Sequence, residues 1–292
     1  MTTDRQNYSP EWAGQVAANL EMVRQKPPLI YAITNFVTMN DVANSLLALG
    51  ASPVMAQAPQ EVEDIVKASQ AILVNLGTLT SERLALIQYT VTMAEKYGKT
   101  IVFDPVGAGG TGFRTTSAKE ILEGKAVRLL RSNLGEAAAL AGIVNTAETR
   151  GVDSVSVHKE DNKSDNPAGQ VALSLARQYP DLTVAITGSR DWVANKGRLV
   201  GVDNGVALLR QVSGAGCMLG GISAAFASLV DPLEAAVSAL TVFGIAAELA
   251  AQQAAGPGSL RLYLMDALYN LTPDHILESA RILEVKVEQA YG

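Results

Sequence analysis

The chain has 292 residues, 48% of them hydrophobic and 18% charged, enough to bury a sizeable core as one α/β unit. A formal charge of −6 argues against a nucleic-acid partner, whose phosphates demand a basic face. The single cysteine, Cys217, excludes an intramolecular disulfide framework and suits a reducing, cytoplasmic compartment.

Residues 1–10 are polar and lack an apolar signal core. Short aliphatic runs then alternate with helical patterns. Residues 29–34, 71–76, 100–103, 127–131 and 182–187 read as strands. Residues 39–49, 59–68, 81–97, 134–141 and 170–178 read as helices. This alternation predicts a mostly parallel sheet flanked by helices, because parallel strands need crossovers and are buried on both faces. The polar stretch 157–168 reads as a solvated surface loop. Residues 192–195 and 198–202, joined by Lys196 and Gly197, read as a hairpin at one edge of the sheet. From Gly216 onward the pattern is almost wholly helical. The most apolar stretches, 216–230 and 235–251, are rich in small residues and separated by Asp231, Pro232 and Glu234. They read as buried helices, since a membrane span needs about 20 continuous apolar residues. With no linker evident, residues 1–292 are expected to form one domain.

The strongest chemical signal is Val212-Ser213-Gly214-Ala215-Gly216-Cys217, which opens a long apolar helix. Gly214 and Gly216 let the backbone approach a ligand, and a helix start presents unpaired N–H groups that favour phosphate. A tight turn with a packed cysteine explains the same residues. Cys217, in the first turn, is expected to have a lowered thiol pKa and to accept a proton from, or position, a substrate hydroxyl. Arg131-Ser132-Asn133-Leu134-Gly135-Glu136 follows a strand; Asn133 and Glu136 can form a capping box. Glu136 can also serve a hydrated magnesium ion, and Arg131 can contact phosphates. Asp104, before Pro105 and the glycines at 107, 109 and 110, is a further candidate for magnesium or for a phosphate-bound water. Thr187-Gly188 ends another strand with a hydroxyl. Four strand ends thus direct ligating groups to one rim, where open α/β sheets bind ligands.

Other chemistries lack their parts. His158 and His275 have no His or Cys at metal-ligand spacing, and a solvated role is expected for both. There is no Gly-x-x-x-x-Gly-Lys-Ser/Thr loop, and the glycines at 107–112 do not follow the first strand as a dinucleotide fingerprint would.

Taken in order, Ala32-Ile33-Thr34-Asn35, the 47–55 run LALGASPVM, Asn75-Leu76-Gly77-Thr78-Leu79, Asp104-Pro105-Val106-Gly107-Ala108-Gly109, Arg131-Ser132-Asn133 with Glu136, Ala185-Ile186-Thr187-Gly188 and Gly214-Ala215-Gly216-Cys217 resemble the hydroxyethylthiazole kinase family. The resemblance runs from about residue 29 into the late helices, with Ser132 and Ser213 as small departures. It implies a ribokinase-like three-layer sandwich, and transfer of phosphate from ATP, with Mg2+, to the primary alcohol of a hydroxyethylthiazole. By position it places Asn35, Met55 and Gly214 at the thiazole, and Arg131, Thr187 and Gly216 at the nucleotide. Asp104 and Glu136 fall at the magnesium, and Cys217 at the hydroxyl. It further implies a homotrimer with sites between subunits. A hydroxymethylpyrimidine kinase of the same fold is the nearest alternative, set aside on residues 33–35 and 50–55. A nucleotide-hydrate dehydratase would carry aspartate in place of Cys217. An assembly protein with decayed catalysis would not need Asp104, Asn133, Glu136 and Cys217 together.

Overall fold

Burial on both faces turns the short aliphatic runs into central strands. The computed structural model describes residues 8–143 and 166–285. Among them, β1 (Leu29–Ile33), β2 (Ser52–Val54), β3 (Ala71–Asn75), β4 (Thr100–Asp104), β5 (Val127–Asn133), β6 (Thr183–Thr187), β7 (Asp191–Asn195), β8 (Arg198–Val202) and β9 (Ile282–Val285) form one sheet in the order β2-β1-β3-β4-β5-β6-β7-β8-β9. The ladder is parallel from β2 through β6 and antiparallel from β6 to β9.

Because successive strand residues face opposite sides, the sheet feeds two cores. Ile30, Ala32, Leu73, Val102 and Leu129 point to one, covered by α1 (Pro10–Gln25), α2 (Met39–Leu49), α8 (Ala215–Ala227), α9 (Pro232–Ala251), α10 (Pro257–Asn270) and α11 (Pro273–Ser279). Tyr31, Ile33, Ile72, Val74 and Phe103 point to the other, covered by α3 (Val62–Ala68), α4 (Ser81–Lys96), α5 (Gly112–Leu122), α6 (Leu134–Leu140) and α7 (Pro167–Gln178). The result is a three-layer α/β sandwich. Among the described residues, only α9 is long and apolar enough to cross a membrane, and 83% of its apolar stretch is buried in the fold.

The expected strands and helices are present, with four additions and two corrections. α1 starts at an N-cap, Ser9, with Pro10 in the first turn, a standard helix entry that the chain-order reading passed over. α5 is rich in Thr and Ser and weakly amphipathic, and its start is secured by the Thr111 side chain accepting from Arg114 N. β2 is only three residues long. After Gly216 the described residues are almost wholly helical, as expected, apart from the short strand β9. Consequently the β7–β8 hairpin is not at the sheet edge: β9 pairs along β8, held by the Arg198 guanidinium donating to Glu284 from Nε and Nη2 at 2.8 and 3.2 Å. Most of the 157–168 stretch, His158 included, lies outside the described residues, and its last residues open α7 behind the Asn166 cap. His275 is not simply solvated; its Nδ1 accepts from Thr272 N at 3.1 Å and completes a capping box.

Candidate active site

The carboxyl ends of the parallel strands share one rim. Between β1 and β3 the crossovers diverge: α2 leaves β1 for one face, while α3 and α4, which follow β2 and β3, cover the other. Such a switch point opens a crevice where doubly wound sheets take their ligands. Asn35 just past β1, Asn75 at the end of β3 and Asp104 at the end of β4 stand along it, and α8 crosses above.

Two glycines let α8 begin there. Gly214 has φ +85°, and a Cβ on it would lie 2.5 Å from Thr38 Cγ2; a Cβ on Gly216 would lie 2.6 Å from Arg131 Nη1. Among the described residues no side chain caps this helix start; Ala215 N donates to Val212 O at 3.2 Å, and the amides of Gly216 and Cys217, at the positive end of the dipole, face the rim. Close approach continues one turn on, where a Cβ on Gly220 would stand 3.1 Å from Leu73 and 3.6 Å from Asp104 Oδ2.

Cys217 meets the rim through two carboxamides. Asn35 Nδ2 donates to its Sγ at 3.2 Å and Asn75 Nδ2 at 3.3 Å. Each amide spends its second hydrogen on the next acceptor along: Asn35 Nδ2 on Asn75 Oδ1 at 3.1 Å, and Asn75 Nδ2 on Asp104 Oδ2 at 2.8 Å. Asn35 Oδ1 accepts from Thr38 N and Oγ1, both at 3.0 Å. A continuous polar chain therefore runs from Thr38 to Asp104 under the sulfur. The expected lowering of the thiol pKa is not found. Burial pushes the Cys217 thiol up and the Asp104 charge adds to this, against the pull of Thr38, Arg131 and Asn35. The dipole of a helix start falls off within a turn and does not outweigh desolvation here.

Arg131 lies across the other side of Gly216. Its Nη1 is 3.5 Å from Asp104 Oδ1, and its Nη2 donates to Thr187 Oγ1 at 3.1 Å. Nε and the neighbouring Ser132 Oγ are buried without a hydrogen-bond partner among the described residues. Burial opposes the guanidinium charge, and the charges of Asp104 and Glu136 outweigh it. Asp104 is fully buried, and desolvation raises its pKa against the pull of Arg131 and Asn75. Glu136 forms the capping box read from the sequence: its Oε2 accepts from Asn133 N at 3.1 Å, while its own N donates to Asn133 Oδ1 at 2.9 Å. Its other oxygen accepts from Gly107 N at 3.0 Å, tying the β4 and β5 loops together. Burial, with the Asp104 charge second, pushes Glu136 up to about 7.

The structure thus gathers Asn35, Asp104, Arg131, Thr187, Gly214, Gly216 and Cys217 at one point, with Glu136 one loop away. Met55, just past β2, packs partly buried against the α2–α8 core and stands apart from the bonded chain. Asn75 and Thr38 were given no role by sequence reasoning, yet both belong to it. A signal existed for Asn75: an amide ends the otherwise aliphatic strand AILVN, in register with Asp104 on β4.

The model of the hydroxyethylthiazole kinase family matches residues 20–274. The chain belongs to that family. Among hydroxyethylthiazole kinases, that of Pyrococcus horikoshii is 44% identical over 269 residues, covering 92% of this chain and 97% of its own length. The hydroxyethylthiazole kinase of Desulfotalea psychrophila is 42% identical over 269 residues, covering 92% and 95%. A solved structure of the Pyrococcus horikoshii protein superposes with a TM-score of 0.83 at 40% identity, over 92% of this chain and 98% of that one. The fold extends further: an ADP complex of Bacillus subtilis pyridoxal kinase matches with a TM-score of 0.57 at 12% identity, covering 76% of this chain and 92% of its own. The sandwich is the ribokinase-like fold.

Proposed function

We propose that this member of the hydroxyethylthiazole kinase family transfers the terminal phosphoryl group of ATP to the primary hydroxyl of 4-methyl-5-(2-hydroxyethyl)thiazole. The observation that carries this is the start of α8. Gly216 lies against the Arg131 guanidinium, and the next side chain, Cys217, meets the Asn35 and Asn75 amides at the switch point. On this proposal the groups that serve the phosphate and those that serve the alcohol abut within one helical turn.

In this reading Arg131 and Thr187 hold the nucleotide phosphates, and the amides of Gly216 and Cys217 stabilise charge on the moving phosphoryl group. Preorganised donors of this kind contribute on the order of 10²–10³ in rate. Asn35, Gly214 and Met55 border the thiazole. Cys217 faces the hydroxyl and orients its oxygen; since burial favours the thiol, positioning is its main work, and a loose transition state needs no strong base.

The acidic residues fit magnesium. Magnesium keeps several waters and takes one or two carboxylates together with substrate phosphates, a demand that two neighbouring carboxylates can meet. Asp104 and Glu136 would hold it, and it would neutralise phosphate charge. Both carboxylates are buried, with Arg131 as the neighbouring cation.

The whole chain acts as one domain, in the cytoplasm, where ATP and a reduced cysteine are at hand. The assembly is a homotrimer. Phe36 and Val37, beside Asn35, are 63% and 70% exposed, and Leu47 on α2 with Leu262 and Tyr269 on α10 is exposed at a hollow of about 660 Å³ that Asp41, Arg261 and Asp266 also line. A second copy would cover these exposed apolar side chains, and sedimentation of the purified protein gives its mass directly. For the activity itself, the test is a side-by-side product assay with magnesium and ATP. The hydroxyethylthiazole is expected to be phosphorylated and the hydroxymethylpyrimidine left nearly untouched; the opposite preference would end the assignment.

A further inference from the structure

Arg83, in the first turn of α4, is a buried guanidinium, 5% exposed, that makes no salt bridge with any carboxylate among the described residues. A buried charge left to neutral partners is costly, and an apolar side chain would fill the space more cheaply. What offsets the cost is a set of contacts to two loops. Nη2 donates to Thr34 O, Nη1 donates to Gln57 Oε1 at 3.3 Å, and the guanidinium stacks 5.0 Å from the centre of the Phe36 ring. Thr34 and Phe36 flank Asn35, and Gln57 lies two residues beyond Met55. Asn35 is enclosed from a third side, since a Cβ on Gly77 would lie 2.5 Å from its own Cβ, and Phe36 N donates to Thr78 Oγ1 at 3.3 Å.

We infer that Arg83 is a positioning residue for the alcohol: from the face of the sheet opposite Cys217 it fastens the 34–36 and 55–57 loops into one wall and so fixes the Asn35 amide against the sulfur. The inference rests on the kinase reading above and adds a residue to its acceptor side. Arg114 offers the contrast. It reaches from α5 to Leu76 O at 2.7 Å and Val106 O at 2.9 Å, bracing the turn after Asp104 on the phosphate side.

The test compares wild type, Arg83→Met, Arg83→Lys and Arg114→Met in steady-state assays varying the thiazole alcohol and magnesium-ATP separately, with thermal unfolding alongside. Loss of two hydrogen bonds should raise the alcohol KM roughly tenfold in Arg83→Met, with the ATP KM within about twofold. Arg83→Lys, keeping one donor, should show a smaller rise of the same kind, and Arg114→Met should move the ATP KM instead. Should Arg83→Met not fold, Arg83→Lys decides alone. Equal rises in both KM values, or a lower Tm with neither KM changed, would overturn the inference. A wild-type enzyme that does not phosphorylate the alcohol would instead remove the reading on which it rests.

Discussion

Substituting Gly216 by Ala probes the junction between helix start and guanidinium. The added methyl would sit 2.6, 2.7 and 2.9 Å from Arg131 Nη1, Nη2 and Cζ, all closer than carbon tolerates. The side chain that must yield is only 12% exposed and is held by Asp104 and Thr187. Pushing the guanidinium aside weakens both contacts, each worth about 1–3 kcal/mol when one partner is charged or buried. At about 1.4 kcal/mol per tenfold, kcat/KM for ATP should fall roughly 10- to 100-fold. Alanine in place of glycine within a helix gains about 0.5–1 kcal/mol, which offsets only part of the lost contact energy, so Tm should fall as well. Kinetics at saturating alcohol, paired with thermal unfolding, separate the two effects. A variant with parental kcat/KM for ATP would mean that the guanidinium does not serve the nucleotide.

Three further outcomes follow from the same geometry. Cys217→Ala should lower kcat at least several-fold with little change in nucleotide binding, because an orienting group acts mainly in the transition state; an unchanged kcat would return the thiol to packing. Glu136→Gln should raise the magnesium concentration needed for half-maximal rate, and a titration superimposable on wild type would take Glu136 out of the metal region. Asp191, held up to about 7 first by burial and then by Asp203, against the Gly188 amide and Arg131, carries a pH signature. Its folded pKa lies above the unfolded value of about 4, so the folded state binds the proton more tightly. Its contribution is fully present below about pH 4, is lost as pH rises to about 7, and is constant above. Asp191→Asn should therefore gain stability relative to wild type across that window in denaturant titrations, and parallel pH curves for the two proteins would refute it.

The buried strands were readable because each is a continuous aliphatic run ending in a polar or glycine residue, and that punctuation also located the rim. β9 was not, since ILEV is short, half-exposed and follows a long helical stretch; it exists as a strand because β8 offers an open edge and Arg198 faces Glu284. The same limit applies at the site. Asp104, Arg131 and Thr187 announce themselves at strand ends, whereas Arg83 acts through Thr34 and Gln57, distant in sequence, and Thr38, bonded to nearby Asn35, comes to the thiol only once α8 packs over the rim. The thiol pKa shows a different failure. The helix dipole is a local effect, whereas the burial of Cys217 is set by the sheet beneath it.

The account turns on α8 bringing phosphate and alcohol together, and a crystal structure with a non-hydrolysable ATP analogue and the thiazole alcohol tests this directly. The terminal phosphate should lie on the amides of residues 214–217, with the alcohol oxygen within hydrogen-bonding distance of Cys217 Sγ. A terminal phosphate bound elsewhere on the rim, away from that helix start, would contradict it.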